Sequence, residues 1–326
     1  MCVQACFSCL ILFYQDNLWG NFFLIYQISF PLNLTNFLPD FYANLKFKES
    51  ENLRFTYAMT AHYPSVNKLA EAFVFNNYNS LFKGNRTIKN GLYQKYMLNY
   101  SSFSLFNFTN VNASISYTKK KDAVKNKTYF EGVNRISTPV NSPFEDETIA
   151  GNLRWERSFG KYKVSLKANA TYSNYYNLVN DDINESEEIR QNYTASVSTN
   201  FKKGPNFELG YNWMINNYDY GTIDGNFYTN KPFARMDYNF FKDFILTIDY
   251  SYYDYSDQDH QLNTYSFLDS GLIYQKTDSK WEFKLSMTNI LNTESINQDS
   301  FNELFTSTTE YFVQPRYIIF GAKFNL

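Results

Sequence analysis

The chain has 326 residues, a formal net charge of −2 and an isoelectric point near 5.8, and Phe, Trp and Tyr make up 20% of it. The acidic balance excludes a dedicated nucleic-acid binder, which would carry a basic excess, and the aromatic content excludes disorder. A mean hydropathy of −0.46, with no apolar run of about 18 residues, excludes a bundle of membrane helices. The 29 Tyr and 32 Phe beside only 12 Gly and 8 Pro point to one repetitive β structure.

The three cysteines, Cys2, Cys6 and Cys9, all lie in the first nine residues, so disulfides hold nothing together beyond them. Their spacing matches the iron–sulfur motif of radical enzymes that use S-adenosylmethionine. That motif belongs on a loop of an α/β barrel, and no alternating strand–helix pattern follows here. Met1–Tyr14 is apolar but has no Lys or Arg before it, and Gln15, Asp16 and Asn17 end it. A secretory signal needs a basic start and a small-residue cleavage site. Residues 1–34 therefore read as an atypical leader or false start, with room for one strand in 21–34.

From residue 35 onward the signal is alternation with a period of two. Tyr162, Val164, Leu166, Ala168, Ala170 and Tyr172 fall on one face; Lys163, Ser165, Lys167, Asn169, Thr171 and Ser173 fall on the other. Successive side chains of a strand point to opposite sides, so this is a two-faced strand. The pattern recurs at Val111–Tyr117, Phe207–Trp213, Phe244–Tyr252, Trp281–Met287 and Ile318–Leu326. Strands in soluble proteins average roughly five or six residues, and several of these runs are longer. About 9–11 residues tilted near 45° cross the hydrocarbon layer of a bilayer. In that reading the apolar face meets lipid, the polar face meets a lumen, and aromatics such as Tyr162, Tyr172, Trp281, Tyr250 and Tyr252 form interfacial girdles. A soluble sandwich would turn its apolar face inward.

Connections are expected to alternate between short turns, at 49–52, 103–107, 159–161, 203–206, 242–243 and 277–280, and longer polar stretches, at 63–90, 119–144, 178–187, 219–226, 256–262 and 291–314. That asymmetry is the one seen between periplasmic turns and outer loops. The fold class is thus all-β: an antiparallel transmembrane outer-membrane β-barrel, with about 13–14 strands over residues 35–326.

Candidate chemistry is sparse. His62 and His260 belong to no metal or nucleophile motif, and no serine is marked as activated, so no enzymatic activity and no cofactor is expected. Asp181, Asp182, Glu185, Glu187 and Glu188 form an acidic run. Asp181, Asp182 and Glu185 are the only metal candidates, since hard cations take several oxygen ligands, but the EF-hand spacing is missing. A solvated loop is the preferred reading. The basic run Lys119–Lys121 reads as the base of a loop in preference to a binding patch, for which lipopolysaccharide phosphates would be the partner. Arg54, Lys163, Lys167, Glu282 and Lys284 all fall on the polar face, where charges of both signs name no ligand.

The segment Phe37–Asn85 resembles the mid-barrel region of Bacteroidetes TonB-dependent receptors, in the outer-membrane β-barrel group. Pro64-Ser65-Val66, Leu69 and Gly84-Asn85 carry that likeness. Met287–Asn292 (MTNILN) is similar to the family's Asn-Leu-Phe-Asn motif, and Gln314–Leu326 to its closing strand. The chain departs from the pattern after Gly84-Asn85, where Arg86–Asn90 replaces a proline-containing run, and at its last residue, Leu326, where Phe is common. The resemblance covers about residues 35–326. It implies the carboxy-terminal portion of a barrel of about 22 strands, without the amino-terminal plug. Phe320, Phe324 and Leu326 would then form the terminal recognition pattern for the barrel-assembly machinery. The implied surroundings are the bacterial outer membrane, its lipid and its lipopolysaccharide. The implied role is nutrient uptake, with TonB engaged only through a plug. A free-standing porin-like barrel for passive diffusion is the alternative.

Overall fold

The computed structural model describes residues 6–12, 21–29, 36–221, 224–277, 279–301 and 306–325. The expected contributions of Cys2 and Leu326 lie outside these residues. The described elements are β1 (Cys6–Leu12), β2 (Asn21–Ser29), β3 (Asn36–Lys48), β4 (Glu51–His62), α1 (Val66–Leu69), β5 (Phe73–Asn77), β6 (Ser80–Lys83), β7 (Gly91–Ser104) and β8 (Thr109–Lys121). Next come β9 (Val124–Glu131), β10 (Asn134–Asn141), β11 (Asp146–Phe159), β12 (Tyr162–Val179), β13 (Asp182–Thr199), β14 (Asn206–Asp219) and β15 (Asp224–Phe240). The chain closes with β16 (Phe244–Ser256), β17 (Gln261–Gln275), β18 (Trp281–Thr288), β19 (Ser295–Phe301), β20 (Thr306–Phe312) and β21 (Tyr317–Phe324). The fold is all-β, and none of the described helices is long and apolar enough to cross a membrane.

Antiparallel pairing runs without a break through β1, β2, β3, β4, β7, β8 and β11, then through β12 to β18 in order, and ends at β21. Among the described residues no pairing joins β21 to β1, so the sheet is not closed. Residues 1–34 contribute two strands, β1 and β2, where the sequence suggested room for one.

Of the expected long connections, 178–187 is mostly strand instead, while 219–226 and 256–262 do hold connections, shortened because β14 runs to Asp219, β15 begins at Asp224, β16 runs to Ser256 and β17 begins at Gln261. β12 and β13 stay paired up to Val179 and Asp182, and only Asn180-Asp181 turns between them. Both turn residues have positive φ (51° and 73°), the conformation that a tight two-residue hairpin with the right twist requires. Polarity there marks strand outside the apolar band, not loop.

The long stretches that remain carry hairpins of their own. β5–β6 lies between β4 and β7, β9–β10 between β8 and β11, and β19–β20 between β18 and β21. The first two join edge to edge. β10 pairs in parallel with β6 at Arg135–Ser137, and β9 pairs in parallel with the end of β12 at Leu178 and Val179. A second tier, β5–β6–β10–β9–β12, therefore stands on the long-loop end of the sheet.

Pro64-Ser65-Val66, Leu69 and Gly84-Asn85 meet in this tier. The Gly84 backbone lies so close to the Ala70 backbone that a Cβ would sit 2.1 Å from the Ala70 carbonyl oxygen. The Asn85 N–H donates to the Lys68 carbonyl at 2.7 Å, and its side-chain amide donates to the Pro139 carbonyl at 3.0 Å. Asn85 thus ties the α1 turn to β10.

Register assigns the two faces. Leu166, Val197, Leu209 and Phe320 all point to one side and are 45%, 48%, 60% and 68% exposed. At that level the other side carries mainly serines, asparagines, threonines and charges. Few apolar side chains are buried, so the hydrophobic residues of this sheet line an open face instead of filling a core.

Candidate functional site

The open apolar face is banded. Near the short-turn end, ring contacts run from strand to strand: Phe240–Phe244 at 5.3 Å, Phe244–Tyr274 at 4.8 Å, Tyr274–Phe283 at 6.3 Å and Trp281–Phe324 at 4.9 Å. Tyr162 and Phe159 continue that end on β12 and β11. Ten residues along β12, a second row crosses the sheet. Tyr57, Tyr96, Tyr117, Ile149 and Tyr172 are successive register partners, with Tyr57–Tyr96 at 4.7 Å and Tyr96–Tyr117 at 5.9 Å. Between the rows lie Leu53, Phe55, Leu98, Val111, Ala113, Ile115, Leu153, Val164, Leu166 and Ala168. Arg157 lies within the band near its short-turn edge, with its guanidinium 4.8 Å from the Phe159 ring centre.

Beyond the second row the same face turns charged. Lys119 pairs with Glu145 and Glu147. Tyr172 Oη donates to Glu187 at 2.9 Å, and the Asn174 amide donates to Glu185 at 2.7 Å.

Ion pairs mark the polar face at mid-height. Glu156 accepts from Arg154 at 2.9 Å and lies 3.3 Å from Lys163. Arg235 bridges Asp249 at 2.7 Å and Glu208 at 3.7 Å. Arg54, Lys163, Lys167, Glu282 and Lys284 all sit on this face by register. Gly210 leaves room for Phe233, whose ring covers it at 2.2 Å from where a Cβ would stand. A hollow of about 260 Å³ lies between this face and β19, lined by Tyr218, Phe227, Tyr253, Tyr255, Tyr265 and Ile296.

The acidic run does not converge. Strand alternation sends Glu185 and Glu187 to the apolar side and Glu188 to the polar side, where Arg190 Nε donates to it at 2.6 Å. Asp181 accepts from Lys127 at 2.5 Å and from Tyr129 Oη. The Lys127 ammonium, then the Tyr129 hydroxyl, hold the Asp181 carboxyl below the usual carboxylate range, and the Asp181 carboxylate, then the Tyr129 hydroxyl, push Lys127 up. Asp182 sits opposite Val179 at the first strand pair. Among the described residues no group of three or more His, Cys, Asp or Glu is arranged to hold a metal ion.

Lys119–Lys121 is likewise split between faces: Lys119 is paired as above, while Lys120 turns to the polar side over the Tyr93 ring at 5.8 Å. His62 stacks on Tyr93 at 3.9 Å, and His260 lies at a turn beside Asp257. Asn289, in the MTNILN stretch, is 2% exposed and has a φ of 51°. Its N–H donates to Asp269, and its side chain bonds the Thr293 and Gln314 backbone. Phe320 and Phe324 occupy the open apolar face of β21.

Lys120 and Glu188 were visible in the sequence as parts of a basic and an acidic run, but the β9–β10 hairpin and its Lys125 and Arg135 were not. A cleft of about 580 Å³ opens where the β9–β10 hairpin meets the polar face, with Lys120, Lys125, Arg135, Asp146, Tyr175 and Glu188 among its walls. The signal was present: Val124–Glu131 and Asn134–Asn141 flank Gly132-Val133, and Gly132 adopts the positive φ of 61° that the turn needs. Comparison of the chain with protein-family models, with curated proteins and with solved structures gives no match.

Proposed function

We propose that the chain is the carboxy-terminal β-barrel portion of an outer-membrane receptor of the TonB-dependent kind, spanning the bilayer with its apolar band outward and its polar face toward a lumen. The observation that carries the membrane part of this reading is the spacing of the two aromatic rows. Ten residues separate Tyr162 from Tyr172. At about 3.3 Å per residue and a tilt near 45°, that is roughly 23 Å, close to the apolar band of about 25 Å in transmembrane barrels. In water, so large an exposed apolar surface would be a liability.

Aromatic girdles at both rims and charges beyond the upper one suit headgroup levels. Arg157, near one rim and lying over Phe159, has the reach to snorkel. An open sheet edge leaves backbone groups unpaired in lipid, so β1 and β21 need partners in the membrane. Further strands of a larger barrel would supply them. The receptor assignment adds the likeness of Pro64–Leu69, Gly84-Asn85, Met287–Asn292 and the last strand to that family. Uptake coupled to TonB would run through a plug domain. A passive porin-like conduit is the second reading, favoured by the serine- and asparagine-rich polar face.

The test is refolding of the full chain into lipid vesicles. Heat-modifiable migration and protection from protease support a membrane barrel; a soluble, unshifted species would sink it. Steady single-channel conductance from the inserted chain would move the passive conduit ahead of the receptor portion.

A further inference from the structure

The polar face carries charges of both signs, but pairing at the long-loop end leaves them unequal. In the 580 Å³ cleft under the β9–β10 hairpin, Lys125 Nζ lies 2.5 Å from Asp146 Oδ1. Glu188 is held by Arg190 through Nε at 2.6 Å. Both carboxylates in the wall are therefore neutralised by their own partners. Two cations remain. Lys120 rests over the Tyr93 ring, and Arg135 donates through Nη2 to the neutral Ser80 hydroxyl at 3.2 Å. Neither has a carboxylate within ion-pair distance among the described residues. Arg135 Nε, moreover, is shut off from solvent without an acceptor, so the guanidinium is not fully paired within the chain.

Around these cations stand small polar groups. Thr128 Oγ1 and Ser137 Oγ face each other at 3.4 Å, as do Thr148 Oγ1 and Ser173 Oγ. A guanidinium, an ammonium and several hydroxyls facing one cleft are the donors that carboxylate and phosphate groups require. The cleft also has the size usual for a small-molecule site.

We propose that this cleft binds a small solute carrying an oxyanion group, carboxylate or phosphate, with Arg135 and Lys120 as its charge partners. This rests on the barrel reading above, which places the long-loop end in water, and it adds the chemical class of the solute.

The test uses the full chain folded in detergent micelles, shown to be folded by its heat-modifiable band, and titrated calorimetrically with citrate and with pyrophosphate. Saturable binding of either probe is expected, weakening as sodium chloride is added. Arg135→Gln and Lys120→Gln are each expected to weaken it about tenfold, while Lys203→Gln, at the short-turn end, leaves it unchanged. Binding of citrate alone assigns a carboxylate; binding of pyrophosphate alone assigns a phosphate. Ser137→Asp keeps both bases, adds a negative charge to the wall and is expected to abolish binding, so the idea remains testable if a Gln variant folds poorly. Absence of saturable binding by the folded chain, or equal affinity in all variants, overturns the site. Failure of the chain to insert into vesicles overturns the barrel reading instead, so the two failures are distinct.

Discussion

Lys125 and Asp146 face each other at 2.5 Å with side chains only 15% and 10% exposed, and the same ammonium donates to the Tyr176 carbonyl. One contact thus fastens the start of β9 to the head of β11 and the upper end of β12. Breaking a buried pair by removing one partner costs about 3–5 kcal/mol, because the other charge stays buried. Asp146→Asn is therefore expected to free the β9–β10 hairpin while the β12–β13 pairing persists. Hydrogen exchange should quicken across 124–141, and limited proteolysis should cut near Gly132-Val133. Unchanged protection of the hairpin would show that its parallel pairing with β6 and β12 suffices.

Gly84 supports the same tier from the other side. The atoms that a Cβ would meet belong to the Ala70 backbone, so no side-chain rotation relieves the clash. Gly84→Ala is expected to displace the α1 turn and break the Asn85 N–H bond to the Lys68 carbonyl. Asn85→Ala leaves the backbone in place but strips the Pro139 carbonyl of its donor, costing about 1–3 kcal/mol. Both variants should raise exchange at β5, β6 and β10, the glycine variant more. Equal and negligible effects would remove the packing explanation for this glycine.

The Lys127–Asp181 pair gives the tier a pH dependence. Asp181 has its carboxyl lowered by Lys127 and Tyr129, so its contribution is present above the ordinary aspartate range and is lost as pH falls through the lowered value. Lys127 is raised, so its contribution is complete below the ordinary lysine range and is lost as pH rises through the raised value. Between those limits the hairpin should be most protected, with exchange rising in strong acid and in strong base. Both groups are solvent-facing, so salt should blunt the effect. Asp181→Asn should flatten both limbs; a profile unaltered by that change would place the dependence elsewhere.

The faces of the sheet were legible in the sequence because a period of two follows directly from strand geometry, and each of the long runs kept its phase in the register. The residues quoted for a family likeness also proved structurally special. Gly84 is a close approach, and Asn289 is a buried hub at a turn. What polarity concealed was the difference between loop and strand beyond the apolar band. Glu185 and Glu187 look like loop residues only if a strand must end where its outward face stops being apolar. The cleft was hidden for another reason. Arg135 and Lys120 are 15 residues apart on different strands, and parallel edge pairing between two hairpins has no local signature.

The apolar band makes the most direct prediction about insertion. Leu166 lies near mid-height between Tyr162 and Tyr172 and is 45% exposed on the open face, while Asn169, three residues on, belongs to the polar face. An arginine on the lipid side near the midplane of a barrel costs about 2–4 kcal/mol, whereas lumen positions tolerate charge. Leu166→Arg should therefore lower the folded fraction in vesicles and shift its denaturant midpoint down, and Asn169→Arg should leave both near the parent values. The contrast matters more than either value. A soluble β structure would lose little from a charge on an exposed face, so equal behaviour of the two variants would argue that Leu166 never meets lipid. A loss confined to Leu166→Arg would tie the banding of Tyr57, Tyr96, Tyr117 and Tyr172 to a bilayer.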